Sequence, residues 1–400
     1  ISWYIGQDRH QDAEAYLRER IETGADAAQA RLELVGFLAQ YNSPQAALDE
    51  IASILKDNPG EDASLLRSVR AGLDFDLGKR EEAIVEMEDI LKTATPSEAT
   101  DKIKVALARM LIRTENSVGA RAQIEEVLER DPTQVNALKI KAGWLIEDDR
   151  TGDALLELRQ ALDQNPRDTD TITLMALAHE RAGNRDLMGE MLALAVETSG
   201  SAPSETLRYA QFLMQDQKYR SVEDILQDSL RLQNTNLALL SALGNVYIQM
   251  QDWSRTQGVI DRLGQINTEQ TQDIANELIA QKLAGQDRAE ELQTFLSGIA
   301  ETDSGDGLQA AASIIRLRMA QGDIAGALEY TDELLKDDPK NPALRFIRGG
   351  VLAIDGKPEE AGETFRDLLS EFPNNERIWL ALYNLRRSQG EMDMATTVLE

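Results

Sequence analysis

Apolar positions along this chain recur at helical spacing, and the whole pattern then repeats with gaps of 33 to 38 residues. A small residue anchors each repeat: Ala13, Ala47, Ala83, Ala120, Ala154, Met188, Val222, Thr256, Ala289, Ala327, Ala361 and Ala395. Four residues beyond it stand Ile51, Met87, Ile124, Leu158, Leu192, Leu226, Ile260 and Phe365, and eight beyond it Leu55, Leu91, Leu128, Leu162, Val196, Leu230, Leu335 and Leu369. Offsets of zero, four and eight fall on one stripe of an α-helix, and a small residue there lets a neighbouring helix approach. A period in this range belongs to stacked supersecondary units, so function is sought on a surface.

The stops between helices repeat as well. Five residues before the anchor stands Gly78, Gly183, Gly322, Gly356 or Gly390, and twelve after it Pro59, Pro132, Pro166, Pro339 or Pro373. Glycine takes the left-handed conformation that ends a helix, and proline cannot continue one. Glycine therefore closes a first helix and proline follows a second. The first helices carry their own apolar pattern, as in Leu240, Leu243, Gly244 and Tyr247 or in Leu138, Ala142 and Leu145.

These residues resemble the tetratricopeptide repeat, whose 34-residue consensus places Trp or Leu, a Leu-Gly pair and Tyr on the first helix, then Ala, Phe, Ala and Pro on the second. Leu240, Leu243, Gly244 and Tyr247 match its first half, and Ala361, Phe365 and Pro373 its second. The anchor departs from the family at Met188, Val222 and Thr256, where the twist of the array is expected to change. The expected fold is all-α: an α-α superhelix of about eleven helix-turn-helix repeats, truncated at both ends, since the chain opens on Ile1 and stops at Glu400 partway through a second helix. We divide it into residues 1–265, an N-terminal array; 266–302, a degenerate repeat; and 303–400, a C-terminal array. Residues 264–275 lack a proline stop, and Gly298 to Leu308 reads as an acidic loop, either a long surface turn or a hinge. Thr93 to Thr100, with Pro96, reads as a plain loop.

Charge and composition narrow the partners. Asp and Glu number 70 against 42 Lys and Arg, a net charge of −28, which disfavours nucleic acid and anionic membranes. No run approaches the roughly 18 apolar residues a membrane span needs. Only 12 of the basic residues are lysine, a bias towards arginine that suggests a GC-rich bacterial genome. There is no cysteine, so thiolate chemistry is excluded, and the chain is placed in the periplasm, with the cytoplasm as the alternative. His10 and His179 are too far apart in sequence for a paired metal site or a triad, and His179 stands where the family has Tyr, a packing position. No phosphate-binding glycine loop occurs. We expect no enzyme activity, cofactor, metal or catalytic residue; the oligomeric state is open.

What the resemblance implies is a concave groove lined by first helices, at positions 18, 15, 11, 8 and 7 residues before the anchor. These are Lys102, Val105, Arg109, Ile112 and Arg113 in one repeat, and Asn136, Lys139, Gly143, Ile146 and Glu147 in the next. With Lys104 and Lys141 they form a local reversal of charge, read either as a site for an acidic peptide or as cations neutralising neighbouring carboxylates. The co-chaperone clamp is not reproduced, because Lys139 is followed by Gly143. Elsewhere the groove positions are apolar or small, with Phe75, Met214 and Phe346 as exposed candidates. The expected function is a protein-interaction scaffold in a bacterial envelope assembly, similar to long arrays of exopolysaccharide secretion systems. The alternatives are a cytoplasmic peptide-binding adaptor or co-chaperone, and a regulatory arm of a larger enzyme such as a glycosyltransferase.

Overall fold

A computed structural model describes residues 1–6, 9–24, 26–57, 63–300 and 306–390. Among the described residues every regular element is a helix. The chain divides into two compact units, Ile1–Glu205 and Thr206–Glu400, and each is a stack of helix hairpins. Pro59 and Ala395 lie outside the described residues.

Eleven second helices are described, and ten begin three residues before the expected anchor, as in Arg80–Thr93, Ser117–Arg130 and Trp253–Ile266. In the exception, Ala289–Ala300, the anchor position is held by Leu292. Its amide donates to the carbonyl of the cap residue Arg288 at 2.9 Å, as Ala327 does to Asp323 at 3.0 Å. The expected Ala289 is therefore corrected to Leu292, buried where Ala289 is half-buried. Composition favoured Ala289 by its size, but the helix start decides the register.

That start is set by a turn that recurs in both units. Five residues before ten of the anchors the backbone is left-handed, at Gly78, Gly183, Gly322, Gly356 and Gly390 and also at Glu115, Asp149, Gln217, Gln251 and Asp287, whereas Asn42, before Ala47, is not. The next amide then reaches back five residues into the first helix, as in Asn116 to the Leu111 carbonyl (2.8 Å) and Asp252 to that of Tyr247 (2.9 Å). This is the Schellman closure, and it forms with or without glycine. Second helices end one residue short of the residue before proline, at Arg130, Gln164, Asp337 and Glu371.

The expected weak stretch is largely helical. Trp253–Ile266 stops on Asn267 in the left-handed conformation, and Thr268 opens Glu269–Gly285 through a capping box with Thr271. Gly298 belongs to Ala289–Ala300, and Gly307 and Leu308 to Asp306–Ala320. The expected loop over 298–308 is corrected accordingly, and its middle, 301–305, lies outside the described residues. The Thr93 to Thr100 loop ends in a capping box at Ser97.

The anchors sit at the centre of each layer. Val222 and Thr256 are fully buried in the anchor position, the Thr256 hydroxyl donating to the Asp252 carbonyl at 2.9 Å, whereas Met188 is only half-buried. Trp144 and Trp253 serve packing between helices: Arg121 lies 5.0 Å from the Trp144 ring, and a Cβ on Gly285 would come within 2.5 Å of the Trp253 ring.

His179 is 6% exposed, and its Nδ1 meets no protein partner. Burial, and then the charge of Arg159, push its pKa below 6.5 against a smaller opposing pull from Glu190. The unfolded chain thus takes up the proton first, and stability falls as pH drops below 6.5 towards the folded-state value. Hydrogen exchange of the helix Thr169–Arg181 should show less protection at pH 5.5 than at 7.5, and His179→Tyr should remove that part of the pH dependence.

Candidate functional site

The first-helix face of the unit Ile1–Glu205 is occupied by bonds between repeats. Arg113 pairs with Asp76 of the preceding repeat at 2.5 Å, and Arg109 donates to the side chain of Asn136 in the following one at 3.1 Å. Lys139 reaches Asp168 at 3.0 Å and Asp170 at 3.1 Å, its side chain only 11% exposed. The same Asp168 caps the helix Thr169–Arg181 through the amide of Thr171. Burial would raise the Asp168 pKa, but bonds from Thr171 and the charge of Lys139 outweigh it and hold the carboxyl below the usual range. One carboxylate thus joins a helix start to the repeat before it.

The remaining lysines are also paired, Lys102 with Glu98 (2.7 Å), Lys104 with Glu126 (2.5 Å) and Lys141 with Glu157 (2.5 Å). A hydrogen bond from Lys102, and then its charge, hold Glu98 below its usual pKa. Of the two readings of this basic segment, the geometry matches neutralisation of neighbouring carboxylates.

Phe75 is not exposed: it is 1% accessible, with the guanidinium of Arg113 4.8 Å and that of Arg80 5.8 Å from its ring. This corrects its place among the exposed candidates, because its helix turns it into the core under the two arginines. Met214 is half-buried. Phe346 is half-buried too, 5.6 Å from Phe365.

Exposed apolar side chains occupy other positions of the same face. In the unit Thr206–Glu400, Ile354 is 61% and Leu380 56% exposed, and Ile112 and Leu177 are exposed in the other unit. Ile112 stood among the expected groove positions, as did Ile354, seven residues before Ala361. Leu177 and Leu380 did not, although counting back 11 residues from Met188 and 15 from Ala395 reaches them. Leu380 stands at the register of Phe346 one repeat later, and next to that level the small Gly350 has open space around its Cα. Among the described residues no group of three His, Cys, Asp or Glu side chains is placed to hold a metal, and no helix is long and apolar enough to cross a membrane.

The tetratricopeptide repeat family model matches residues 313–376, which span the hairpins on either side of Gly349 and Phe365. Residues 313–376 carry the tetratricopeptide repeat. Among solved structures the chain is similar to a tetratricopeptide repeat protein from Parabacteroides merdae, with 16% identity and a TM-score of 0.42 over 63% of this chain and 98% of that one. It is also similar to human IFIT1, solved as a dimer with m7Gppp-AAAA, with 16% identity and a TM-score of 0.40 over 98% and 93% of the two chains. A third likeness is to Naa15/Naa10 bound to HypK-THB, with 14% identity and a TM-score of 0.35 over 93% and 68%. No curated protein matches the chain.

Proposed function

We propose that this chain is a non-enzymatic scaffold that takes a peptide or protein partner along its first-helix face, within a bacterial envelope assembly on the periplasmic side. The observation that carries the reading is the exposure of Leu380 and Ile354 at first-helix register, beside the half-buried Phe346. Large aliphatic side chains held in water forgo the free energy of burial, which a partner laid over them recovers. The envelope setting is supported by the absence of cysteine and the arginine-rich, acidic composition.

Photo-cross-linking tests both parts. With p-benzoylphenylalanine at position 380, irradiation of a bacterial envelope fraction should give a discrete adduct. The same group at position 118, a second-helix residue 83% exposed, should not. Identical products from the two positions, or none from position 380, would overturn the reading.

A further inference from the structure

A second gathering of basic side chains lies on second helices. Between the helices Tyr219–Leu232 and Trp253–Ile266 lies an open cleft of about 550 Å³, lined by three arginines, Arg231, Arg255 and Arg262, and by no aspartate or glutamate. In a chain of net charge −28 this is unusual. The cleft along Arg80–Thr93 is lined by Glu81, Glu82, Glu86 and Asp89 against Arg67, and that beside Ile324–Asp337 by Glu329, Asp332, Glu333 and Asp355 against two lysines.

The three guanidiniums are held in place by bonds outside the lining. Arg255 is fixed by Glu223 and by Asp252 (2.7 Å), and Glu223 also accepts from Tyr247 (3.1 Å) and Gln227 (3.0 Å). Arg231 pairs with Asp228 at 2.9 Å. Arg262 donates to the Asn234 carbonyl and meets no carboxylate in the ion pairs of the described residues. A guanidinium has five N–H donors, so each keeps donors beyond these bonds, already oriented and with less side-chain entropy left to lose. Between them the floor is apolar, formed by Leu230 and Val259.

We propose that this cleft binds an extended acidic peptide segment, with its side-chain oxyanions on the arginines and an aliphatic side chain between them on the floor. Arg255 and Arg262 are two helical turns apart on one face, about 10.5 Å along the axis. Acidic residues three positions apart in a polyproline II segment share one face and lie about 9.3 Å apart, so the spacing selects that pattern. Planar guanidiniums donate to carboxylate or phosphoryl oxygens in the same fork geometry, so acidic and phosphorylated side chains share the chemistry. The site lies on second helices, and its failure would leave the first-helix reading untouched.

Fluorescence anisotropy on the full chain tests the proposal with two labelled probes, a short peptide carrying two glutamates three positions apart with a leucine between them, and the same peptide with both glutamates replaced by phosphoserine. Salt-sensitive binding of the first assigns the oxyanion to carboxylates, and binding of the second alone assigns it to phosphoryl groups. The double variant Arg231→Glu, Arg262→Glu should weaken the bound probe at least about tenfold. The exposed pair Lys56→Glu, Lys92→Glu changes net charge equally and should leave it unchanged. Gly258 lines the cleft with nothing within 4 Å of a Cβ built on it, so Gly258→Leu should fill the cleft and abolish binding without disturbing any arginine pair. Absence of binding by both probes, or binding that survives Gly258→Leu and the arginine double variant, would overturn the proposal.

Discussion

Replacing Arg130 by alanine should lower the urea midpoint, and most of the loss should be recovered when Asp101 is replaced as well. Asp101 lies in the first turn of Glu98–Arg113 with its side chain only 3% exposed, and Arg130 ends the second helix of the same hairpin and bonds it through Nε (2.7 Å) and Nη2. Without the guanidinium the carboxylate stays buried with only the helix dipole to offset its charge. The double variant removes the burdened charge itself, and the coupling between the two changes isolates the pair. Urea denaturation with hydrogen exchange on this hairpin provides the measurement, because in a repeat array the loss is felt first by the repeat and its neighbours. Additive single and double variants would show that the pair contributes nothing.

The second large effect is expected at Gly349. A methyl group there would lie 2.6 Å from Cε1 and 2.9 Å from Cζ of Phe365, which is buried and packed against Phe346. An aromatic ring hemmed in on both sides cannot give way as the end of an aliphatic chain can, so Gly349→Ala should destabilise by about 1–3 kcal/mol despite its better helix propensity. The adjacent Gly350 has nothing within 4 Å of a built Cβ, and Gly350→Ala should be neutral or stabilising by up to about 1 kcal/mol. Thermal melts of the two variants give opposite shifts if contact decides, and equal shifts if propensity alone does.

The contrast between these two glycines shows where reading the chain stops. Both fall in one helical pattern, and nothing in their spacing says which faces Phe365. The register of the repeat containing Leu292 is a similar case: Ala289 fits the composition of the anchor, but the turn ending at Asp287 starts the helix three residues later than that choice requires. The turns closed by Glu115, Gln217 and Gln251 carry no glycine to mark them, because their backbone bonds supply what glycine makes easy elsewhere.

Sequence by itself determined the all-helical hairpins, their period and their stops, since apolar stripes, caps and helix breakers act over a few neighbouring residues and leave a direct trace in spacing. It also indicated which first-helix positions share a face, and Ile112 and Ile354 are exposed there. Tertiary structure alone decided which charges are spent and which side chains are reachable. Asp76 meets Arg113 across 37 residues, Lys139 meets Asp168 across 29 and Glu223 meets Arg255 across 32. Such pairs depend on how one hairpin seats on the next and on how far a long side chain extends, neither of which is encoded in the local period. The same seating buries Phe75, neutralises the lysines that looked like a site, and gathers three scattered arginines around one cleft.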